Sequence, residues 1–151
     1  MAECVILIGL PASGKSTFFR ERFAGTHDHV SKDRLRNHRR PQLRQEQLMA
    51  ESLAAGRSVV IDDTNPSAAV RAALITVAKW HGAEIIGYVF KTDTAGALRR
   101  NRARQGRDRV PDVAIFTARK RLELPTLAEG FHRLFEVKLN EREKTFEVTA
   151  L

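Results

Sequence analysis

Residues 9–17 read Gly-Leu-Pro-Ala-Ser-Gly-Lys-Ser-Thr, a G-x-x-x-x-G-K-[ST] spacing whose residue types suit one task, wrapping a polyphosphate. Gly9 and Gly14 allow the chain to curl so that backbone N–H groups around Ala12, Ser13, Gly14 and Thr17 point inward. Lys15 then reaches the β- and γ-phosphates, and Ser16 offers a hydroxyl to Mg²⁺. The flanks agree: Cys4-Val-Ile-Leu-Ile8 is a β-rich apolar run, and Phe18 to Arg22 can open a helix. This pattern predicts a nucleoside triphosphate site.

A triphosphate site does not name a reaction. No Asn/Thr-Lys-x-Asp stretch of the kind that reads guanine is present, which argues against a switch GTPase, and a motor-type ATPase usually needs more chain. A kinase needs a base for the acceptor hydroxyl and cations over the phosphoryl group in flight. Asp33 follows a short strand, at the carboxyl end of the predicted sheet, where a carboxylate can take the hydroxyl proton. The same residue also suits a helix N-cap. Asp62, at the end of Val59-Val-Ile-Asp-Asp63, reads as a group that orients Mg²⁺ or binds Ser16, with a helix-start carboxylate as the other reading. Asp63 is left open between these. Arg100 and Arg104 are four apart, so a helix through both puts them on one face, aimed at phosphate oxygens or at solvent.

The elements that must position these groups alternate. Strands are predicted over 3–8, 29–32, 58–61 and 84–91, with two more over 134–139 and 145–148 around a turn at Asn140. Helices fall between them. One runs to residue 24, one spans 41–55, and one opens at Asn65-Pro66 with a buried stripe of Val70, Ala73, Leu74, Val77 and Ala78. An Arg-rich helix capped by Thr94 runs to Gly106, and another runs from Asp112 to Leu122. Such alternation predicts a parallel sheet covered on both faces with right-handed crossovers.

At 151 residues the chain is most simply one domain, 1–151, and 26 Lys and Arg against 18 acids give it a net charge of +8. Twelve of those cations fall in two runs, Lys32–Arg44 and Arg99–Arg109, which predicts two basic surfaces and phosphorylated partners. The Arg100–Arg104 run and the stretch after it, about 99–112, read as a lid that closes over the nucleotide and excludes water. No apolar run is long enough for a membrane span, and the single cysteine, in the first strand, points to a buried thiol in a reducing, intracellular setting, cytoplasmic for choice.

Taken together, the order and spacing of these segments resemble the polynucleotide 5′-hydroxyl kinases, the kinase module of end-healing DNA and RNA repair enzymes. The resemblance covers nearly the whole chain. It is carried by residues 9–17, by Ser31-Lys-Asp-Arg-Leu-Arg36, by residues 59–66, by Arg99-Arg-Asn-Arg-Ala-Arg104, by Val110-Pro-Asp112 and by residues 119–131. It implies an α/β, three-layer P-loop NTPase fold with a central parallel sheet of about four to five strands in adenylate-kinase-like order and an Arg-rich lid. It implies Lys15 and Ser16 on ATP phosphates and Mg²⁺, Asp33 as general base for a 5′-OH, and Arg104 with Arg100 as lid arginines on the triphosphate. Arg36 falls where viral and bacterial members place an arginine that holds the phosphate 3′ of the acceptor nucleoside. The chain departs from the pattern at Ser31-Lys32, where many members have Asn-Arg, and at Asp63, where animal forms have Asn; both bear on acceptor preference. An Asp-x-Asp-x-Thr phosphatase mark is absent, so the expectation is a kinase module alone. The partners expected are ATP and 5′-OH DNA or RNA ends. A small-molecule kinase of the same fold (for a nucleoside, sugar or antibiotic) and an ATP-gated nucleic-acid-binding module are the competing expectations.

Overall fold

A computed structural model describes residues 1–151. Runs of β-branched and aliphatic residues make β1 (Glu3–Ile8), β3 (Ser58–Asp62) and β4 (Glu84–Lys91), whereas β2 (His27–Val30) is a short His-Asp-His-Val strand at the sheet edge; the more mixed β5 (Arg133–Asn140) and β6 (Thr145–Ala150) follow. They form one sheet in the order β2-β3-β1-β4-β5-β6. The first five are parallel, and β6 closes the edge as an antiparallel hairpin on β5. The parallel strands number five and stand in the expected adenylate-kinase-like order, and β6 is the further strand expected beyond the turn at Asn140. β2 begins and ends two residues earlier than its sequence suggested, because four residues carry too few alternations to fix a boundary.

Side-chain alternation divides the core between the two faces. Cys4, Ile6 and Ile8 of β1 point to one side with Val59, Ile61, Ile85 and Val89, while Val5 and Leu7 point to the other with Val60, Ile86 and Phe90. The first face is covered by α2 (Pro41–Ala54) through Met49 and Leu53 and by α3 (Ala68–Trp80) through Leu74, Ile75 and Ala78. The second is covered by α1 (Lys15–Arg22), whose Phe18 and Phe19 join Phe23. Phe18 is the hub there, edge-on to Phe23, Phe90 and Phe146. A smaller cluster of Leu10, Ala97 and Ile115 fixes α4 (Thr94–Arg102) and α5 (Asp112–Arg121) beside the loop that leaves β1. Burial pushes the Cys4 thiol up to about 12, so it is inert, as its place in β1 suggested.

Three local expectations are corrected. Asn65 is not a helix cap: it stands at φ +43°, its side chain donates to the Leu7 carbonyl at 2.7 Å, and α3 is capped by Ser67, whose hydroxyl accepts from the Val70 amide. The buried stripe of α3 is Arg71, Leu74, Ile75 and Ala78, one position round from the apolar stripe read from sequence. Arg71 is wholly buried because Glu129 pairs with it at 2.8 Å, and its burial turns the helix. Finally, Asp93 caps α4 in place of Thr94, and α4 ends at Arg102, with a 3₁₀ turn over Gly106–Asp108 beyond.

Candidate active site

The loop between β1 and α1 is held in a conformation that few sequences tolerate. Gly14 stands at φ +96°, and a Cβ there would meet the ring of Phe146 at 3.1 Å. Ala12, at φ +60°, keeps its carbonyl turned to the Arg100 Nε, which donates to it at 2.6 Å. The Gly9 amide donates to the Thr64 carbonyl at 3.0 Å, so the loop is tied to the segment after β3. Lys15 lies back along the loop and donates from Nζ to the carbonyls of Gly9 (3.0 Å) and Leu10 (2.6 Å) and to the Ser13 hydroxyl (3.3 Å). Burial pushes its ammonium down to about 8, against the opposing pull of Asp62.

Parallel pairing brings the carboxyl ends of β1, β3 and β2 to one edge. There the Ser16 hydroxyl donates to Asp62 Oδ2 at 2.7 Å, and His29 Nε2 meets the same oxygen at 2.8 Å. Burial alone would raise the Asp62 carboxyl, but the hydrogen bonds from His29 and Ser16 outweigh it and keep the group below the usual carboxylate range. Two oxygen donors side by side suit a hard cation that takes the rest of its shell from phosphate and water. No group of three or more His, Cys, Asp or Glu is placed to hold a metal without such help.

Asp63 does something its sequence left open. Its Oδ1 accepts from the Lys32 amide at 3.0 Å and from the Ser31 hydroxyl at 3.3 Å, and its Oδ2 accepts from the buried Gln45. Burial raises its carboxyl to about 6 despite those bonds. It thereby clamps the segment that carries Asp33 against α2. Asp33 sits in a 3₁₀ turn over Lys32–Leu35 that is capped by Ser31, whose hydroxyl accepts from the Asp33 amide at 3.2 Å. Ser31 being the cap, the Asp33 carboxylate is not needed at its own helix start. It is exposed and lines a cleft of about 640 Å³.

That cleft brings together most of the residues singled out from sequence. Ala12, Gly14, Lys15, Ser16 and Thr17 line it from the loop, Asp62 and Asp63 from the end of β3, and Lys32, Asp33 and Arg36 from the segment after β2. Arg104 and Arg107 face them from the polar stretch beyond α4. Gly9 and Ser13 of the loop are outside the lining, and Ser13 is buried against Lys15. Arg100 is not part of the lining. It grips the Ala12 carbonyl and pairs with Glu141 at the β5–β6 turn, while Arg104 stands past the end of the helix, so the two do not share a helical face. Arg20, Thr64 and Asp108 also line the cleft; Thr64 and Asp108 fall inside segments 59–66 and 99–112, but no spacing marks any of the three as a site residue.

A family model described as AAA domain matches residues 4–125. The chain belongs to that family. This AAA domain has the fold of P-loop kinases and a nucleotide loop to match. It is 29% identical to the bifunctional polynucleotide phosphatase/kinase of Schizosaccharomyces pombe across 89% of its own length, and it spans about a third (33%) of that relative. A solved structure of a Pnkp1/Rnl/Hen1 complex matches 66% of this chain and 38% of the other at 26% identity and a TM-score of 0.59. A gluconokinase from Sinorhizobium meliloti matches 90% of it and 82% of the other chain at 20% identity and a TM-score of 0.66. No helix of the AAA domain is long and apolar enough to cross a membrane.

Proposed function

We propose that this P-loop kinase domain transfers the γ-phosphate of ATP to the 5′-hydroxyl of a DNA or RNA strand. One observation carries the reading: Asp33 and Arg36, a base and a cation three residues apart, line the same cleft as Lys15, Ser16 and Asp62. The partial likeness to a polynucleotide phosphatase/kinase supports the same acceptor.

In this reading the Asp33 carboxylate takes the 5′-hydroxyl proton as that oxygen bonds to the γ-phosphorus. The bond from γ-phosphorus to the β-bridging oxygen breaks, and ADP leaves. Lys15 swings from the loop carbonyls to the β- and γ-oxygens, and Arg104 and Arg107 offset charge on the transferring group. Arg36 holds the phosphate 3′ of the acceptor nucleoside. Ser16 and Asp62 would hold Mg²⁺, which neutralises charge on the β/γ oxygens when bound. His29 and the loop fix that Asp62 oxygen before the nucleotide arrives.

Because burial holds the free Lys15 near 8, ATP affinity is expected to weaken as pH rises above about 8, where the ammonium loses its proton. Lys15→Arg should lack that alkaline limb, since guanidinium stays charged. Isothermal titration across pH 7 to 9.5, roughly the range that brackets this group, checks it.

The competing reading is a small-molecule kinase, favoured by the fold shared with a gluconokinase. An acceptor panel separates the two: γ-labelled ATP with a 5′-OH oligonucleotide, a nucleoside 3′-phosphate, a free nucleoside and gluconate. The strand reading expects the phosphorylated acceptors to exceed the neutral nucleoside and gluconate by at least about tenfold in kcat/KM, the worth of one charge-assisted contact. Equal or better transfer to the nucleoside or gluconate would reject it. Oligonucleotide binding with no transfer of label would point to the non-enzymatic module.

A further inference from the structure

The basic run 32–44 does not end at the cleft. Lys32 and Arg36 line it, but His38, Arg39, Arg40, Leu43, Arg44 and Gln47 line a separate open groove of about 480 Å³. Arg39 is only three residues beyond Arg36, at most about 11 Å of extended chain, so the groove lies close beside the Arg36 end of the cleft.

The charge in this groove is poorly neutralised by the protein. Arg44 pairs with Glu51 at 3.6 Å, whereas Arg39 and Arg40 enter no ion pair. They also stand at the start of α2, where the helix dipole favours acids; its first turn holds no acid, and Arg40 makes no side-chain cap. Cations crowded at the positive end of a helix are an unfavourable arrangement that a bound anion reverses. Leu43, about half exposed, is the single apolar surface there, and no aromatic ring offers a stacking platform.

We infer that this groove is a second binding site, a track for the phosphodiester backbone of the acceptor strand downstream of the nucleotide held at Arg36. The inference rests on the strand-kinase reading. It assigns Arg39 and Arg40 to backbone phosphates, read by charge and without regard to base, and it sets the direction of the strand: the 5′ end at Asp33, the following nucleotides running out over the N-terminus of α2. A nucleoside 3′-phosphate fills the cleft but is too short to reach the groove.

The test compares a nucleoside 3′-phosphate, a 5′-OH dinucleotide and a 5′-OH octanucleotide as acceptors for wild type and Arg39→Ala/Arg40→Ala. Both side chains are exposed and stand at the positive end of α2, so the variant should keep wild-type ATP affinity and unfold at no lower temperature than wild type. The KM for the octanucleotide should rise about tenfold at low salt with kcat retained, while the KM for the 3′-phosphate stays unchanged. The slope of log KM against log salt should fall by about 0.7 for each cation removed, and only for the octanucleotide. An equal rise for both acceptors, or none for either, overturns the track and leaves the kinase reading standing. Transfer by wild type to none of the three acceptors overturns both.

Discussion

Asp33→Asn is expected to lower kcat for 5′-OH phosphorylation by about 10²–10⁴, the usual worth of a positioned general base, with ATP affinity unchanged. The amide keeps the size of the side chain and cannot take a proton. The effect should fall on turnover because Asp33 makes no contact that holds the site together: Ser31 caps its turn, and Asp63 clamps the Lys32 amide and Ser31. Single-turnover transfer of label measures the chemical step, and nucleotide titration measures binding. A variant with full turnover would remove Asp33 from the mechanism. A variant that lost ATP affinity as well would make Asp33 part of the nucleotide site.

Arg71→Met is expected to destabilise the fold by about 3–5 kcal/mol, the cost of breaking a buried ion pair from one side. Arg71 is fully buried and donates to both Glu129 oxygens, at 2.8 and 3.2 Å, and to the Asn65 carbonyl at 2.9 Å. Removing it strands the Glu129 carboxylate, which the arginine holds below its ordinary range against the effect of burial, and frees the left-handed Asn65 turn. That turn follows Asp62 and Asp63, so transfer should fall along with stability. Chemical denaturation checks the size, and Arg71→Met/Glu129→Gln should recover much of the loss because no charge is then left unpaired. A loss below about 1 kcal/mol, the level of a surface pair, would contradict the account.

How much of this could be read from the chain depends on how local each signal is. The nucleotide loop is contiguous, and its glycines, lysine and hydroxyl declare themselves; so do β1, β3 and β4, whose aliphatic runs admit no other element. The pairing of Ser16 with Asp62 was open to sequence because each residue sits at the end of a recognisable segment. Asp63 was not legible, since its partners Ser31, Lys32 and Gln45 are far along the chain and only the sheet brings them to it. Arg71 hid for a similar reason. A buried arginine breaks an apolar stripe on paper, and the carboxylate that makes its burial tolerable lies 58 residues on. The four-residue spacing of Arg100 and Arg104 predicts one helical face, which fails once α4 stops at Arg102. Neighbouring residues Asp93 and Thr94 both suit a cap, with Asp the better on propensity, and the structure places Asp93 there.

The central claim is that one carboxylate faces the transferring phosphoryl group with the strand's terminal oxygen between them. A crystal structure with Mg²⁺, an ADP–metal-fluoride mimic of the transferring group and a 5′-OH dinucleotide tests it most directly. The account predicts an Asp33 carboxylate oxygen within about 2.6–3.2 Å of the 5′ oxygen, in line with the mimic and the leaving oxygen of ADP. A dinucleotide bound elsewhere, or a 5′ oxygen met by water or another side chain with Asp33 turned to solvent, would contradict it.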